Sequence, residues 1–180
     1  HNVKILLAEH KKIALDVFNK YFRLTCEDYF GEPVLVHNLA LCRAIKSKTS
    51  TLASDNWHYD LSGNRIKIFV VIDCINGGVG TELVLGSNTE KRFPHFICSR
   101  RTPNSILKRY KNNIITHLGK KNTFYFFDTN MWHRGDFSQK DHTIVSSRLT
   151  LQYDVVTTQK FELMKKLNFP KVGFDVNINS

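Results

Sequence analysis

The stretch NWHYDLSGNR, residues 56–65, places His58 and Asp60 two positions apart, just before a Gly-Asn turn and a long apolar run. Positions i and i+2 diverge on a helix but share a face on a strand. The spacing therefore predicts an extended segment that aims an imidazole and a carboxylate at one point. Such a pair is the beginning of a metal site, and a third ligand has to come from elsewhere in the chain.

Working outward, RIKIFVVIDCI (65–75) is β-branched, aromatic and nearly continuous, which predicts a buried strand. NGGVG (76–80) reads as a glycine-rich turn, and TELVLGSN (81–88) as a short strand ending in Gly-Ser-Asn. NTFYFFDTNMWHRG (122–135) reads as one strand and DFSQKDHT as a polar loop. IVSSRLTLQYDVV (144–156) alternates, with Arg148, Thr150 and Gln152 on one face and Leu149, Leu151 and Tyr153 on the other. Upstream, VLVHNLALCRAI (34–45) predicts a strand, and KSKTSTLASDN a polar loop. Residues 3–23 carry Ile5, Leu6, Ile13, Leu15, Val17, Phe18 and Phe22 at helical spacing, which predicts an amphipathic helix on the core. TPNSILKRYKNNIITHL reads as a helix with Pro103 near its start, and TQKFELMKKLNF as a short C-terminal helix. Several strands with helices kept to the periphery predict a mainly β fold, a sandwich or barrel with flanking helices.

A chain of 180 residues with 42% hydrophobic and 23% charged residues reads as one soluble globular domain. No apolar run approaches the roughly 20 residues needed to span a bilayer. No secretory signal is read, and the start at His1 rather than Met leaves open a trimmed chain, a processed protein and a domain cut from a longer one. Cys26, Cys42, Cys74 and Cys98 are widely spaced, without the CxxC pairs of a zinc ribbon, and read as reduced thiols of a cytoplasmic protein. The net charge of +10 is concentrated: Lys91 to Lys121 holds nine Lys or Arg and no Asp or Glu. That segment implies a local positive field, either a solvated face or an attractor for an anion.

His133, in FFDTNMWHRG, supplies the third ligand. Two imidazoles and one carboxylate with open positions opposite form the facial triad of non-haem Fe(II) oxygenases. His-x-Asp alone recurs by chance; Arg148, fifteen residues after His133 on the polar face of the next strand, strengthens the reading. A guanidinium captures a carboxylate in bidentate fashion, as an Fe(II) enzyme using 2-oxoglutarate requires. Thr150 beside it could add a hydroxyl donor. Lys67 and Arg65 open the long strand, and either could point inward toward co-substrate or substrate. His1, His10, His37, His95, His117 and His142 lack such a context and read as structural or exposed.

The order WHYD, RIKIFVVID, GGVGTELVLGSN, NTFYFFDTNMWHRG, SSRLTLQYDV resembles the phytanoyl-CoA dioxygenase-like group of Fe(II)/2-oxoglutarate oxygenases over roughly residues 55–155. The resemblance implies a double-stranded β-helix, the jelly roll or cupin-like barrel, with a core about 33–157, the N-terminal helix 3–23 and a basic helical insert about 91–120. It implies His58, Asp60 and His133 as iron ligands and Arg148 as the 2-oxoglutarate anchor, with Thr150 and Lys67 as further co-substrate candidates. Gly86-Ser87-Asn88 departs from the group's Gly-Ser-His, whose histidine is not a ligand. The spacing from His133 to Arg148 is long for the group and implies an extended hairpin at GDFSQKDH. The presence of Asp60 disfavours a halogenase.

The activity this implies is hydroxylation with Fe(II), 2-oxoglutarate and O2. An insert at the barrel mouth would suit an anionic small molecule or a carrier-linked thioester. The same charge would serve a nucleic acid, but no aromatic-interleaved stacking platform accompanies it. The rival classes are an oxygenase acting on a protein or nucleic acid and a non-catalytic barrel used as a binding module.

Overall fold

The computed structural model describes residues 2–4, 8–45, 57–60, 63–76, 79–89, 108–136 and 146–167. In chain order these form β1 (Asn2–Lys4), α1 (Ala8–Tyr21), α2 (Arg23–Phe30), β2 (Val34–Ile45), β3 (Arg65–Ile75), β4 (Gly80–Val84), β5 (Ile114–His117), β6 (Phe124–Asp128), β7 (His133–Asp136), β8 (Ser147–Thr157) and α3 (Thr158–Lys166). The expected loop at 46–56, residues 137–143 of the expected loop DFSQKDHT and so most of the hairpin at GDFSQKDH, and residues 91–107 of the expected insert at about 91–120 lie outside the described residues, as do Ile5, Leu6 and Cys98.

β1, β2, β8, β3 and β6 form a five-stranded sheet in that order, and β5, β4 and β7 a three-stranded one. Every pairing is antiparallel. β8 lies between β2 and β3, and its alternation separates two environments. Tyr153 and Val155 join Ile66 and Ile68 of β3 and Val36 and Leu39 of β2 on the face covered by Ala14 and Phe18 of α1, with Phe22 and Cys26. Burying each such large side chain contributes roughly 1.5–3 kcal/mol. The Tyr153 hydroxyl donates to the Ala14 carbonyl at 2.9 Å, so the helix layer is hydrogen-bonded to the sheet as well as packed on it. On the other face, Phe69 and Val71 of β3, Tyr125 and Phe127 of β6 and Leu83 of β4 form a second cluster that joins the two sheets. Arg148 and Thr150 lie on that inward face, buried.

Four details differ from the sequence expectation. The helix expected over 3–23 is divided: residues 2–4 pair as a strand with β2, and the helical run breaks at Phe22 and resumes to Phe30. Gly31 ends it in the left-handed region at φ 69°, where a side chain is strained. Ile13, expected to face the core, is 61% exposed. The single strand expected over 122–135 is two, in different sheets. Asp128 turns the chain between them: its carboxylate accepts from Asn130 N at 2.8 Å and Asn130 Nδ2 at 2.7 Å, an Asx-type turn that competes with strand continuation. The second half of the helix expected in TPNSILKRYKNNIITHL is the strand β5, because Ile114–His117 find a partner in Thr81–Val84 of β4.

Candidate metal centre and anion pocket

His58 and Asp60 sit on a short extended segment with one isolated bridge rather than on a full strand. The His58 and His133 backbones exchange hydrogen bonds of 3.0 and 2.7 Å, and Asp60 N donates to the Thr129 carbonyl at 3.0 Å. The turn between β6 and β7 interrupts any longer ladder. Alternation still holds: Trp57 lies under the Arg134 guanidinium at 4.6 Å and Tyr59 packs on Trp132 at 4.7 Å, leaving the intervening side chains to the other face.

On that face, one donor atom from each of His58, Asp60 and His133 lies within 4.8 Å of the others. Register delivers His133 to this point, and Ser87 sets it from behind. The buried Ser87 hydroxyl accepts from Trp132 N at 2.8 Å and donates to the Val84 carbonyl at 2.7 Å, tying the residue before His133 to the end of β4. Asn88, where the resembled group has histidine, lies 3.4 Å from both the Asp128 carboxylate and the Tyr29 hydroxyl.

The donor set fits a divalent transition metal. His133 Nδ1 lies 2.9 Å from the Met131 carbonyl, and donation from Nδ1–H leaves the lone pair on Nε2. That Nε2 is buried, makes no hydrogen bond, and lies 3.9 Å from Asp60 Oδ1. An unsatisfied buried acceptor costs about 1–3 kcal/mol, which a cation placed against it would offset. Burial, helped by the charges of His58 and Lys67 and opposed by Asp60, lowers His133 to about 3, so the imidazole is neutral. Burial alone would raise Asp60, but Lys67, His133 and Arg65 outweigh it and hold the carboxyl well below its usual range. Neutral nitrogens and an ionised carboxylate are the forms that bind metal.

Arg148 occupies the same inter-sheet interior. Its Nη1 donates to the Tyr125 hydroxyl at 2.7 Å and to Thr81 Oγ1 at 3.3 Å, and its Nη2 reaches Thr81 Oγ1 at 3.3 Å. Both partners are uncharged, Nε has no partner, and among the described residues no carboxylate pairs with this guanidinium although it is only 6% exposed. A buried cation without an anion is costly, and an anion placed against it would offset that cost. A row of rings connects it with the His58–Asp60–His133 cluster: His133 to Phe127 at 4.9 Å, Phe127 to Phe69 at 5.8 Å, Phe69 to Tyr125 at 5.2 Å, with Arg148 over Phe69 and Tyr125.

The remaining candidates fall as follows. The Thr150 hydroxyl donates to the Cys42 carbonyl at 3.4 Å and accepts from Gln152 Nε2 at 3.0 Å, so its partners lie on β2 and β8. Lys67 and Arg65 both point inward: Lys67 Nζ lies 2.6 Å from Asp60 Oδ2, and Arg65 Nη2 lies 2.7 Å from Asp154 Oδ2. Sequence reasoning missed Tyr125, Thr81 and His117. His117 is half-buried and stacks on Tyr125 at 3.9 Å, its pKa lowered by burial and by Arg148. The period-two pattern of β6 could have placed Tyr125 inward; nothing local marks Thr81 or His117, which face each other through the β4–β5 register.

No protein-family model and no curated protein matches this chain. Among solved structures, the crystal structure of EctD from S. alaskensis in its apoform is similar, with a TM-score of 0.57 and 13% sequence identity. The match covers 84% of this chain and 55% of that one, so this chain spans about half the length of its structural neighbour. The likeness is one of fold. Two antiparallel sheets with few helices form a double-stranded β-helix, the cupin-like barrel. Among the described residues no helix is long and apolar enough to cross a membrane, and Cys26, Cys42 and Cys74 are free thiols.

Proposed function

We propose that this protein is an Fe(II)- and 2-oxoglutarate-dependent oxygenase, a hydroxylase similar to the phytanoyl-CoA dioxygenase-like group. The observation that carries the reading is the convergence of His58, Asp60 and His133, with His133 Nε2 buried, without a hydrogen bond and 3.9 Å from Asp60 Oδ1. These three residues would hold the iron, which when bound supplies the activation of dioxygen that lets an unreactive C–H bond be hydroxylated. The protein's own part is placement. Asp60 is kept anionic and His133 neutral. Arg148, with Tyr125 and Thr81 orienting its guanidinium, takes the distal carboxylate of 2-oxoglutarate. Phe69 and Phe127 keep the space between the two subsites apolar and dry.

The substrate we assign is anionic: a carboxylated or phosphorylated metabolite, or a carrier-linked thioester. Lys108, Arg109, Lys111, Lys120 and Lys121 of the basic segment are exposed, and the stretch that contains the last two leads away from Gly119, which touches Arg148. That positive charge would attract anions toward the side of the fold on which Gly119 meets Arg148.

The test is succinate production with Fe(II), 2-oxoglutarate and oxygen. The wild type should convert 2-oxoglutarate slowly even without substrate, and His58→Ala should abolish it. Equal turnover in both proteins, or no Mn(II) binding by the wild type, overturns the oxygenase reading.

A further inference from the structure

The two carboxylate oxygens of Asp60 face different partners. Oδ1 lies toward His133, 3.9 Å from its Nε2. Oδ2 lies 2.6 Å from Lys67 Nζ and 3.9 Å from Arg65 Nη1. Arg65 is chiefly engaged elsewhere, since its Nη2 sits 2.7 Å from Asp154 Oδ2. The short contact is therefore Lys67's. Lys67 stands on β3, which is hydrogen-bonded along both edges, with Phe127 opposite it on β6 and Asp154 opposite it on β8. Its neighbours Ile66 and Ile68 are buried in the helix-side cluster, which sets the inward direction of Lys67. The ammonium thus comes from a strand paired on both edges and meets the carboxylate oxygen other than the one that lies toward His133 Nε2.

We propose that Lys67 is a positioning residue for the candidate metal centre: it holds Asp60 Oδ2, which leaves Oδ1 as the oxygen turned toward His133 for a metal that His58, Asp60 and His133 would hold, and it would keep a positive charge beside that site. The inference rests on the oxygenase reading. Its physical consequence is a preference among oxidation states. A fixed positive charge beside the site would repel a trivalent ion more than a divalent one, and burial weakens the screening. Lys67 would therefore keep the bound iron ferrous, the state in which it reacts with oxygen and co-substrate. The competing view is that Lys67 only balances a buried carboxylate in the metal-free protein and leaves when metal arrives. On that view its charge would not be felt by the bound ion.

The experiment uses the full chain and two variants, Lys67→Met and Lys67→Arg, with circular dichroism to establish folding. Mn(II) binding followed by electron paramagnetic resonance gives the divalent affinity, and a redox titration of the iron-loaded protein gives the ferric/ferrous potential. The expected result is a fall of about 59 mV in Lys67→Met, a tenfold shift toward ferric iron for a one-electron couple, with Lys67→Arg staying near wild type. A folded Lys67→Met that no longer binds Mn(II), beside a Lys67→Arg that does, also supports the holding role. A Lys67→Met with wild-type potential and wild-type Mn(II) affinity overturns the proposal, as does a Lys67→Arg that behaves like Lys67→Met. If the wild type itself binds neither Mn(II) nor Fe(II), the oxygenase reading has failed. Wild-type binding with unaltered variants removes the Lys67 inference alone.

Discussion

Gly119 lies against Arg148 so closely that a Cβ added at position 119 would stand 2.4 Å from Arg148 Cδ. Arg148 cannot yield easily, because its guanidinium is held by Tyr125 and Thr81 in a buried pocket. Gly119→Ala should therefore displace the guanidinium and raise the KM for 2-oxoglutarate about tenfold, equivalent to ~1.4 kcal/mol. Mn(II) affinity should stay near wild type. Steady-state kinetics with Mn(II) binding on the same sample separates the two subsites.

Tyr125→Phe keeps the ring that packs on Phe69 and His117 but removes the hydroxyl 2.7 Å from Arg148 Nη1. A hydrogen bond to a charged group contributes roughly 1.5–3 kcal/mol. Loss of orientation should appear as a KM for 2-oxoglutarate raised about tenfold or more, with little change in Mn(II) affinity. A KM equal to wild type would show that the hydroxyl does not orient the guanidinium.

Ser87→Ala leaves Trp132 N, buried beside the candidate metal ligand His133, without the hydroxyl it donates to. The expected loss of stability is about 1–3 kcal/mol, read as a lower midpoint in urea. Because Trp132 precedes His133, Mn(II) affinity should fall as well. Ser87→Thr, which keeps the hydroxyl, should recover at least part of both.

The metal-free protein should lose stability in acid. The pKa of His133 falls from 6.5 unfolded to about 3 folded, so between these values the unfolded chain binds the extra proton. Stability from this group is fully present above pH 6.5 and declines as pH falls toward 3, by at most ~1.4 kcal/mol per pH unit. The depressed Asp60 acts with the same sign below about pH 3.8. Thermal melting in chelator from pH 7 to 4 checks this: His133→Gln should flatten the dependence.

Reversing Arg100, Arg101, Lys108 and Arg109 to Glu removes four positive charges from a segment that has no acidic residue. The KM for an anionic substrate should rise, while 2-oxoglutarate turnover without substrate stays nearly intact. An unchanged KM against a panel of acyl-carrier, phosphorylated and carboxylated candidates would retire the basic segment as a substrate determinant.

Local periodicity carried the readable part of this chain. The i, i+2 spacing of His58 and Asp60 follows from strand geometry whatever surrounds it, and so does the alternation that sets Arg148 and Thr150 opposite Leu151 and Tyr153 on β8. The same logic recognised β2 and β3 as strands. It failed where a side chain competes with the backbone, as at the Asp128 turn that divides β6 from β7. It failed again where a partner overrides a helical pattern, as β4 does for β5.

By itself, the sequence determined which residues can share a face, how much positive charge the 91–121 segment carries, and that β-strands dominate. Only the tertiary structure decided which faces meet. Whether His133 stands beside His58 and which hydroxyls surround Arg148 depend on register between segments 23 to 75 residues apart, and whether Lys67 or Arg65 reaches Asp60 depends on where the His58–Asp60 segment docks. A shift of one residue in any of those pairings would turn the side chain to the opposite side of its sheet. Spacing along the chain holds no record of that register, because it is set by the packing of both sheets at once.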